Sequence, residues 1–260
     1  MTSAEPKRGI SAARNHGVAM ASGDFVAFTD DDAVADRGWL RALGTRFVLD
    51  DEVDGIGGAV LPLGLDTPAQ LWFEEYYGGF SQSFRAEKLS IRLTRGTDKL
   101  FPYAPGRFGA GCNMAFRRST LERLGGFNDL LGTGTPAKGG EDLALFFDLV
   151  VSGGTIAFEP GALVRHSHRR TEQEFMRQVC SYGTGLTAMY TACVVTDPRH
   201  IGAMIRRLPP GLRLLVRPRE HRSASGKPSY PRSTLVFQLL GMMLGPFAYA
   251  RSVAKARWFT

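Results

Sequence analysis

Hydrophobic and polar positions along the chain switch repeatedly between a strand-like and a helix-like period. Phe25 to Thr29 is a short apolar, aromatic and β-branched run of strand length, closed at once by Asp30, Asp31 and Asp32. Ahead of it, Ser11 is expected to cap a small-residue helix over 12–21 that Gly23 ends. Behind it, Asp36 is expected to cap a helix that turns Trp39, Leu40, Leu43 and Phe47 to the core. Residues 53–63 read as a strand ended by Pro62, and Thr67-Pro68 opens a helix. That helix carries Trp72, Phe73, Tyr76 and Tyr77, which either pack inward or line an acceptor groove. Residues 85–107 lack periodicity and read as irregular loop.

Further on, 108–116 reads as a glycine-rich strand that allows close approach by a ligand or another backbone. Ser119-Thr-Leu-Glu fits a capping box for a short helix stopped by Gly125-Gly126. A glycine-rich stretch at 131–140 suits a loop that moves over substrate. Glu141-Asp142 then starts a helix with Leu143, Phe146, Phe147 and Val150 toward the core. Residues 155–160 and 162–165 read as two extended pieces that deliver His166 and His168. Thr171-Glu-Gln-Glu is a second capping box, and the helix after it keeps Phe175, Val179, Tyr182, Leu186, Met189 and Cys193 on one face until Asp197-Pro198.

Three adjacent carboxylates at a strand end are costly unless a positive group sits among them. Alternate residues of an extended chain point the same way, so Asp30 and Asp32 can share one cation while Asp31 faces elsewhere. Carboxylate oxygens suit Mg2+ or Mn2+, which commonly bridge to substrate phosphates. The alternative reading is a solvated acidic turn that opens the next helix.

The surrounding residues favour the first reading. Arg8-Gly-Ile-Ser-Ala-Ala-Arg-Asn-His-Gly-Val-Ala precedes the triplet and Ala33-Val-Ala-Asp-Arg-Gly-Trp-Leu follows it. With matches at 109–127, at Gly139-Gly-Glu-Asp and at His166-Ser-His, this chain resembles the nucleotide-sugar half of inverting GT-A glycosyltransferases of family 2, over residues 8–195. The resemblance implies an α/β fold of GT-A type, a mixed sheet flanked by helices. It implies that Asp30 and Asp32 hold a divalent cation with His166 as third ligand. It places Arg14, Asn15, Asp31 and Asn113 near the nucleotide-sugar donor, and makes Asp142, or its neighbour Glu141, the base that deprotonates a hydroxyl acceptor. The family often has a further acidic residue two positions on; here Ala144 stands there, which makes acceptor specificity less transferable. The acceptor class stays open between glycan and lipid-linked hydroxyls.

The family's opening β-α-β unit for the nucleobase is not found ahead of Arg8. A GT-A domain lacking that unit is therefore expected. The unit is truncated, supplied by another chain, or lost together with nucleotide binding. In each case Phe25 to Thr29 should lie at a sheet edge, open to self-association, above a shallow cleft. A remnant without activity is the competing reading.

Net charge is +7, but it is unevenly placed. Residues 1–195 hold 20 Lys and Arg against 23 Asp and Glu, whereas 196–260 hold 12 against 2, so the basicity belongs to the tail. A basic nucleic-acid-binding protein would interleave aromatics with its cations. Here Arg206, Arg207, Arg213, Arg217, Arg219 and Arg222 stand among prolines and aliphatic residues, and no nucleic-acid partner is expected. Residues 234–250 carry no charge and are followed by Arg251, Lys255, Arg257 and Trp258, a pattern suited to a membrane interface or a shallow re-entrant hairpin, the alternative being a helix packed on the domain. The expected organisation is a catalytic body over 1–195 and a helical tail over 196–260 held at the cytoplasmic face of a membrane. Cys112, Cys180 and Cys193 lack metal-ligand spacing and read as small buried thiols.

Overall fold

The period-two segments come together in one mixed sheet. The structure, a computed structural model, describes residues 5, 7–81, 84–94, 98–216 and 230–258. Its strands are β1 (Phe25–Thr29), β2 (Ala33–Ala35), β3 (Gly55–Pro62), β4 (Glu87–Leu89), β5 (Asn113–Arg117) and β6 (Ile156–His166). Its α-helices are α1 (Ile10–Met20), α2 (Trp39–Leu49), α3 (Pro68–Trp72), α4 (Ile91–Thr94), α5 (Arg118–Leu124), α6 (Glu141–Val151), α7 (Glu172–Thr196), α8 (His200–Val216) and α9 (Ser233–Trp258). The strand order is β1-β5-β3-β6-β2, with β4 also paired to β6. Among the described residues β3 and β6 pair in parallel, and the other pairings are antiparallel. This is the α/β class with helices on both faces that the sequence implies.

Alternation along the strands sorts two cores. Met114 and Phe116 of β5 join Phe28 on one face, where α6 contributes Leu145, Phe146 and Leu149. Ala115 faces the other way, toward Ile56, Val60 and Val164, which α2 covers with Trp39, Leu43 and Phe47. These three fall at i, i+4 and i+8 and share one helix face. Leu40, one step round the helix, is 65% exposed and is not core as expected.

β1 lies at the sheet edge and among the described residues pairs only with β5, as expected. One face of β1 is covered at its start. Phe25 stacks on Phe47 with ring centroids 4.5 Å apart, and the Arg117 guanidinium lies over both rings.

Several local expectations are corrected. Ser11 is not a cap: Gly9 holds that position, and the Ser11 hydroxyl donates to the Leu131 carbonyl inside the first turn. Ser119 likewise falls within α5, which no side chain caps, although Gly125 ends it in the left-handed conformation. Residues 85–107 are not wholly irregular, because β4 extends the sheet beside β6 and α4 follows. The two extended pieces before His166 are one strand whose register against β3 shifts between Gly58 and Ala59. The Thr171 box forms as expected, with Thr171 accepting from the Glu174 backbone and Glu174 accepting from that of Thr171.

The tail is tied to the body. α9 lies along α7 at contact distance: a Cβ on Gly241 would stand 2.0 Å from the Cys180 carbonyl oxygen. Only glycine permits that approach, and the Thr187 hydroxyl crosses the seam to the Met242 carbonyl. Arg217, Arg219 and Arg222 lie outside the described residues.

Candidate active site

Strand ends and a helix start converge at one end of the sheet, where ligands collect in α/β folds. Asp30 and Asp32 follow the end of β1, His166 is the last residue of β6, and Gly111 and Cys112 lead into β5. Glu141 and Asp142 open α6 opposite them, and Arg14 projects from α1. Asp30, Asp32, His166, Arg14, Glu141 and Asp142 all line one cleft of about 1900 Å³. That is room for two substrates rather than one small ligand. Tyr103 and Tyr190 add to the cleft wall, together with Met204 and Leu208 of α8.

Arg14 is the hub. It is buried, and its guanidinium donates to Glu141 Oε1 at 2.8 Å, to Asp30 Oδ1 at 3.2 Å and to the Gly111 carbonyl at 3.1 Å. One planar fork therefore links the acidic triplet to the carboxylate pair of α6. Glu141 is almost wholly buried; burial, with Asp142 beside it, pushes its carboxyl up to about 7 against the pull of Arg14. Asp142 is held differently. Its Oδ2 accepts from the Gly111 backbone N–H at 2.9 Å and its Oδ1 from that of Leu143 at 2.8 Å, and it stays half-buried on the cleft wall. With Glu141 committed to Arg14, Asp142 is the carboxylate free to meet a substrate.

His166 Nε2 lies 3.1 Å from Asp32 Oδ1, and Arg169 approaches the other oxygen of that carboxylate at 4.0 Å. Burial holds the His166 imidazole below its ordinary range, which keeps a nitrogen lone pair available for a metal. Ligand atoms of Asp30, Cys112 and His166 all lie within 4.8 Å of one another. Burial, with Asp30 adding its charge, pushes the Cys112 thiol far up, so it remains a protonated and poor ligand. Asp32 is not part of that close group and meets it through His166; the oxygen and nitrogen donors of Asp30, Asp32 and His166 are of the kind that suits a divalent cation such as Mn2+ or Mg2+.

Three residues expected near the donor make other contacts or face elsewhere. Asn15 is spent on structure: its amide donates to the Phe127 carbonyl and its oxygen accepts from the Phe127 N–H, pinning the turn after α5. Asn113 is fully buried and saturated. It donates to the Ala59 and Ala162 carbonyls and accepts from Trp39 Nε1–H, bolting three elements together beneath the cleft. Asp31 is exposed and lies outside the cleft lining. Of the aromatics after Thr67, Trp72 and Phe73 are buried, whereas Tyr77 lines the cleft. Gly111 and Cys112 went unrecognised as site residues, although the glycine run around them signalled a close backbone approach.

Residues 3–125 match the model described as Glycosyl transferase family 2. A pre-mycofactocin glycosyltransferase of Mycobacterium tuberculosis is 29% identical over 178 residues, covering 68% of this chain and 34% of that protein. A putative polypeptide N-acetylgalactosaminyltransferase 13 of Drosophila melanogaster is 33% identical over 172 residues, covering 64% of this chain and 29% of that protein. The chain thus spans about a third of the length of these curated relatives. Among solved structures, a mannosyltransferase from Pyrobaculum calidifontis in complex with GDP-Man and Mn2+ aligns with a TM-score of 0.46 at 17% identity, over 98% of this chain and 68% of that one. The matched stretch holds Arg14, the aspartate triplet and the strand of Asn113, and over it the chain is similar to glycosyl transferase family 2.

Proposed function

We propose that this chain transfers a sugar from a nucleotide-diphospho-sugar to a hydroxyl acceptor with inversion. The observation that carries the reading is the convergence in one cleft of Asp30, Asp32 and His166 on one wall and Asp142 on the facing helix start. Asp142 accepts the acceptor's hydroxyl proton as that oxygen attacks the anomeric carbon from the side opposite the departing diphosphate. The backbone N–H groups of Gly111 and Leu143 fix the carboxylate for that task. Arg14 holds Asp30 in place and neutralises Glu141, so the site does not carry four uncompensated acids. A divalent cation held by Asp30, Asp32 and His166 would offset the charge of the departing diphosphate.

Replacing Asp142 by Asn tests the base directly. Donor binding should survive, since the variant keeps the shape of the site, while transfer should fall by about 10²-fold or more. Equal activity in the variant would remove Asp142 from the mechanism. The same donor-binding measurement separates an enzyme from an inactive remnant, which would show no donor-dependent protection against thermal unfolding.

We further propose that the tail holds the protein at the cytoplasmic face of a membrane. α9 has 26 residues, long and apolar enough to cross a bilayer by length and composition, and only 22% of its most apolar window is buried. It outruns the uncharged stretch because the helix continues through Arg251 and Lys255 to Trp258. Val236, Met243 and Phe247 are 64%, 70% and 76% exposed, an apolar face with nothing over it among the described residues. On α8, Ile201 and Ile205 are exposed as well, outside the cleft lining and with Arg206 nearby. Vesicles with anionic lipid should therefore capture the protein at low salt, with each basic residue near the surface adding about 1 kcal/mol and salt weakening the effect. Protein that ignores such vesicles at low salt would contradict this placement.

A further inference from the structure

Behind the cleft wall, four side chains form an unbroken line from the turn after α3 to the aspartate triplet. Glu74 Oε1 lies 2.6 Å from His168 Nε2, His168 Nδ1 lies 3.3 Å from His166 Nδ1, and His166 Nε2 lies 3.1 Å from Asp32 Oδ1. Each contact joins two atoms that carry lone pairs, so each needs one proton, or a cation, between them. A cation held at His166 Nε2 would leave no proton on that nitrogen, so the His166 proton would sit on Nδ1 and be donated to His168 Nδ1. His168, accepting there, would carry its own proton on Nε2, toward Glu74 in the shortest contact of the line. The contact between His166 Nε2 and Asp32 is the one a cation would bridge.

The surroundings hold this line in place. Glu74 stands in a π-helical turn, Phe73–Tyr77, that continues α3. Such turns often mark functional sites. Gly79 backs its carboxylate at φ 60°, and a Cβ there would meet Glu74 Oε2 at 2.7 Å. His168 is 3% exposed, with its ring 4.6 Å from that of Phe73 and 5.9 Å from that of Phe80. Neither histidine can turn without displacing this aromatic packing.

We infer that Glu74 and His168 are positioning residues that set the tautomer and aim of His166, presenting its Nε2 lone pair to a divalent cation shared with Asp30 and Asp32. The inference rests on the proposal that those three residues bind the cation. Partners of this kind behind a metal-binding histidine typically change metal affinity by 10- to 100-fold when removed. Here the effect passes through a second imidazole.

The test is Mn2+ affinity of the full chain, read from the electron paramagnetic resonance of free Mn2+, with thermal unfolding in the absence of metal as a check on folding. Glu74→Gln, which no longer fixes a proton on His168 Nε2, should weaken Mn2+ binding about 10-fold or more. His168→Phe keeps the aromatic packing but loses the acceptor for His166 Nδ1–H, and should weaken binding by a similar factor. His168→Asn restores an acceptor at the Nδ1 position while losing the ring; it should melt lower than His168→Phe and yet bind Mn2+ more tightly. A packing role predicts the reverse order, with His168→Phe binding as the wild type does, and that result would overturn the inference. Wild-type binding that is lost in Asp32→Asn, together with undiminished binding in Glu74→Gln, would sink this inference alone. No Mn2+ binding by the wild-type chain would sink the cation site and the inference with it.

Discussion

At the scale of single residues, the site is a set of acids kept apart by what each is bonded to. Glu141 has its carboxyl raised by burial, so in the folded protein it holds a proton at pH values where the unfolded chain has released it. Its contribution to stability is therefore complete below about pH 4.5 and lost as pH rises through about 7. The loss is on the order of 3 kcal/mol at most. Denaturant titrations at pH 4.5 and 8 should show it in the wild type and not in Glu141→Gln; equal slopes in both would contradict the assignment. Asn113 gives a second prediction. Asn113→Leu strands the Ala59 and Ala162 carbonyls and the Trp39 indole N–H, and should cost about 3 kcal/mol or more in unfolding free energy. A variant of unchanged stability would return Asn113 to a role in binding. That Asp30, Asp32, Asp142 and His166 would meet in one cleft was expected from short motifs at element ends and a family resemblance, and all four line it. The roles of Asn15 and Asn113 were not legible in the sequence, since a carboxamide serves whichever backbone groups the tertiary fold brings to it. Glu74 reaches His168 across 94 residues, and local pattern carries no sign of that pairing.

At the scale of elements, the periodicities placed β1, β3, α2, α6 and α7, and what they missed has physical causes. A cap depends on where the chain turns, so Ser11 and Ser119 were drawn into first turns although they are good capping residues. β6 reads as two pieces because Pro160-Gly161 interrupts its pattern, while the bulge opposite Gly58 keeps it a single strand. β4 is three residues long, too short for its alternation to show. The seam between α7 and α9 was also hidden, because glycines in an apolar helix lower its apparent quality while permitting close packing. Gly241→Val should therefore be severe. Its side chain would overlap the Cys180 carbonyl, and the expected result is a loss of more than about 3 kcal/mol, read as a fall in melting temperature. Unchanged melting would show that α9 does not dock on α7.

At the scale of the whole molecule, one end of the sheet gathers the acids while the tail helices wall the same cleft and expose apolar faces outward. Active cleft and proposed membrane surface are thus built from shared elements, α8 and α9. At the other extreme of the sheet, β1 offers an edge with Phe25 36% exposed. Such an edge invites pairing with another copy. Sedimentation should show association that rises with protein concentration and is weakened in Ala27→Lys, whereas a monomer at all concentrations would rule that out. On the proposed reading the cleft binds a nucleotide-sugar through a cation held by Asp30, Asp32 and His166. Its most direct test is thermal unfolding with UDP-, GDP- and dTDP-sugars, each with and without Mn2+, in the wild type and in Asp32→Asn. One donor should stabilise the wild type only when Mn2+ is present, by about 2.7 kcal/mol at a hundred times its Kd, and should leave Asp32→Asn unmoved. No shift with any donor, or the same shift in Asp32→Asn, would contradict the account.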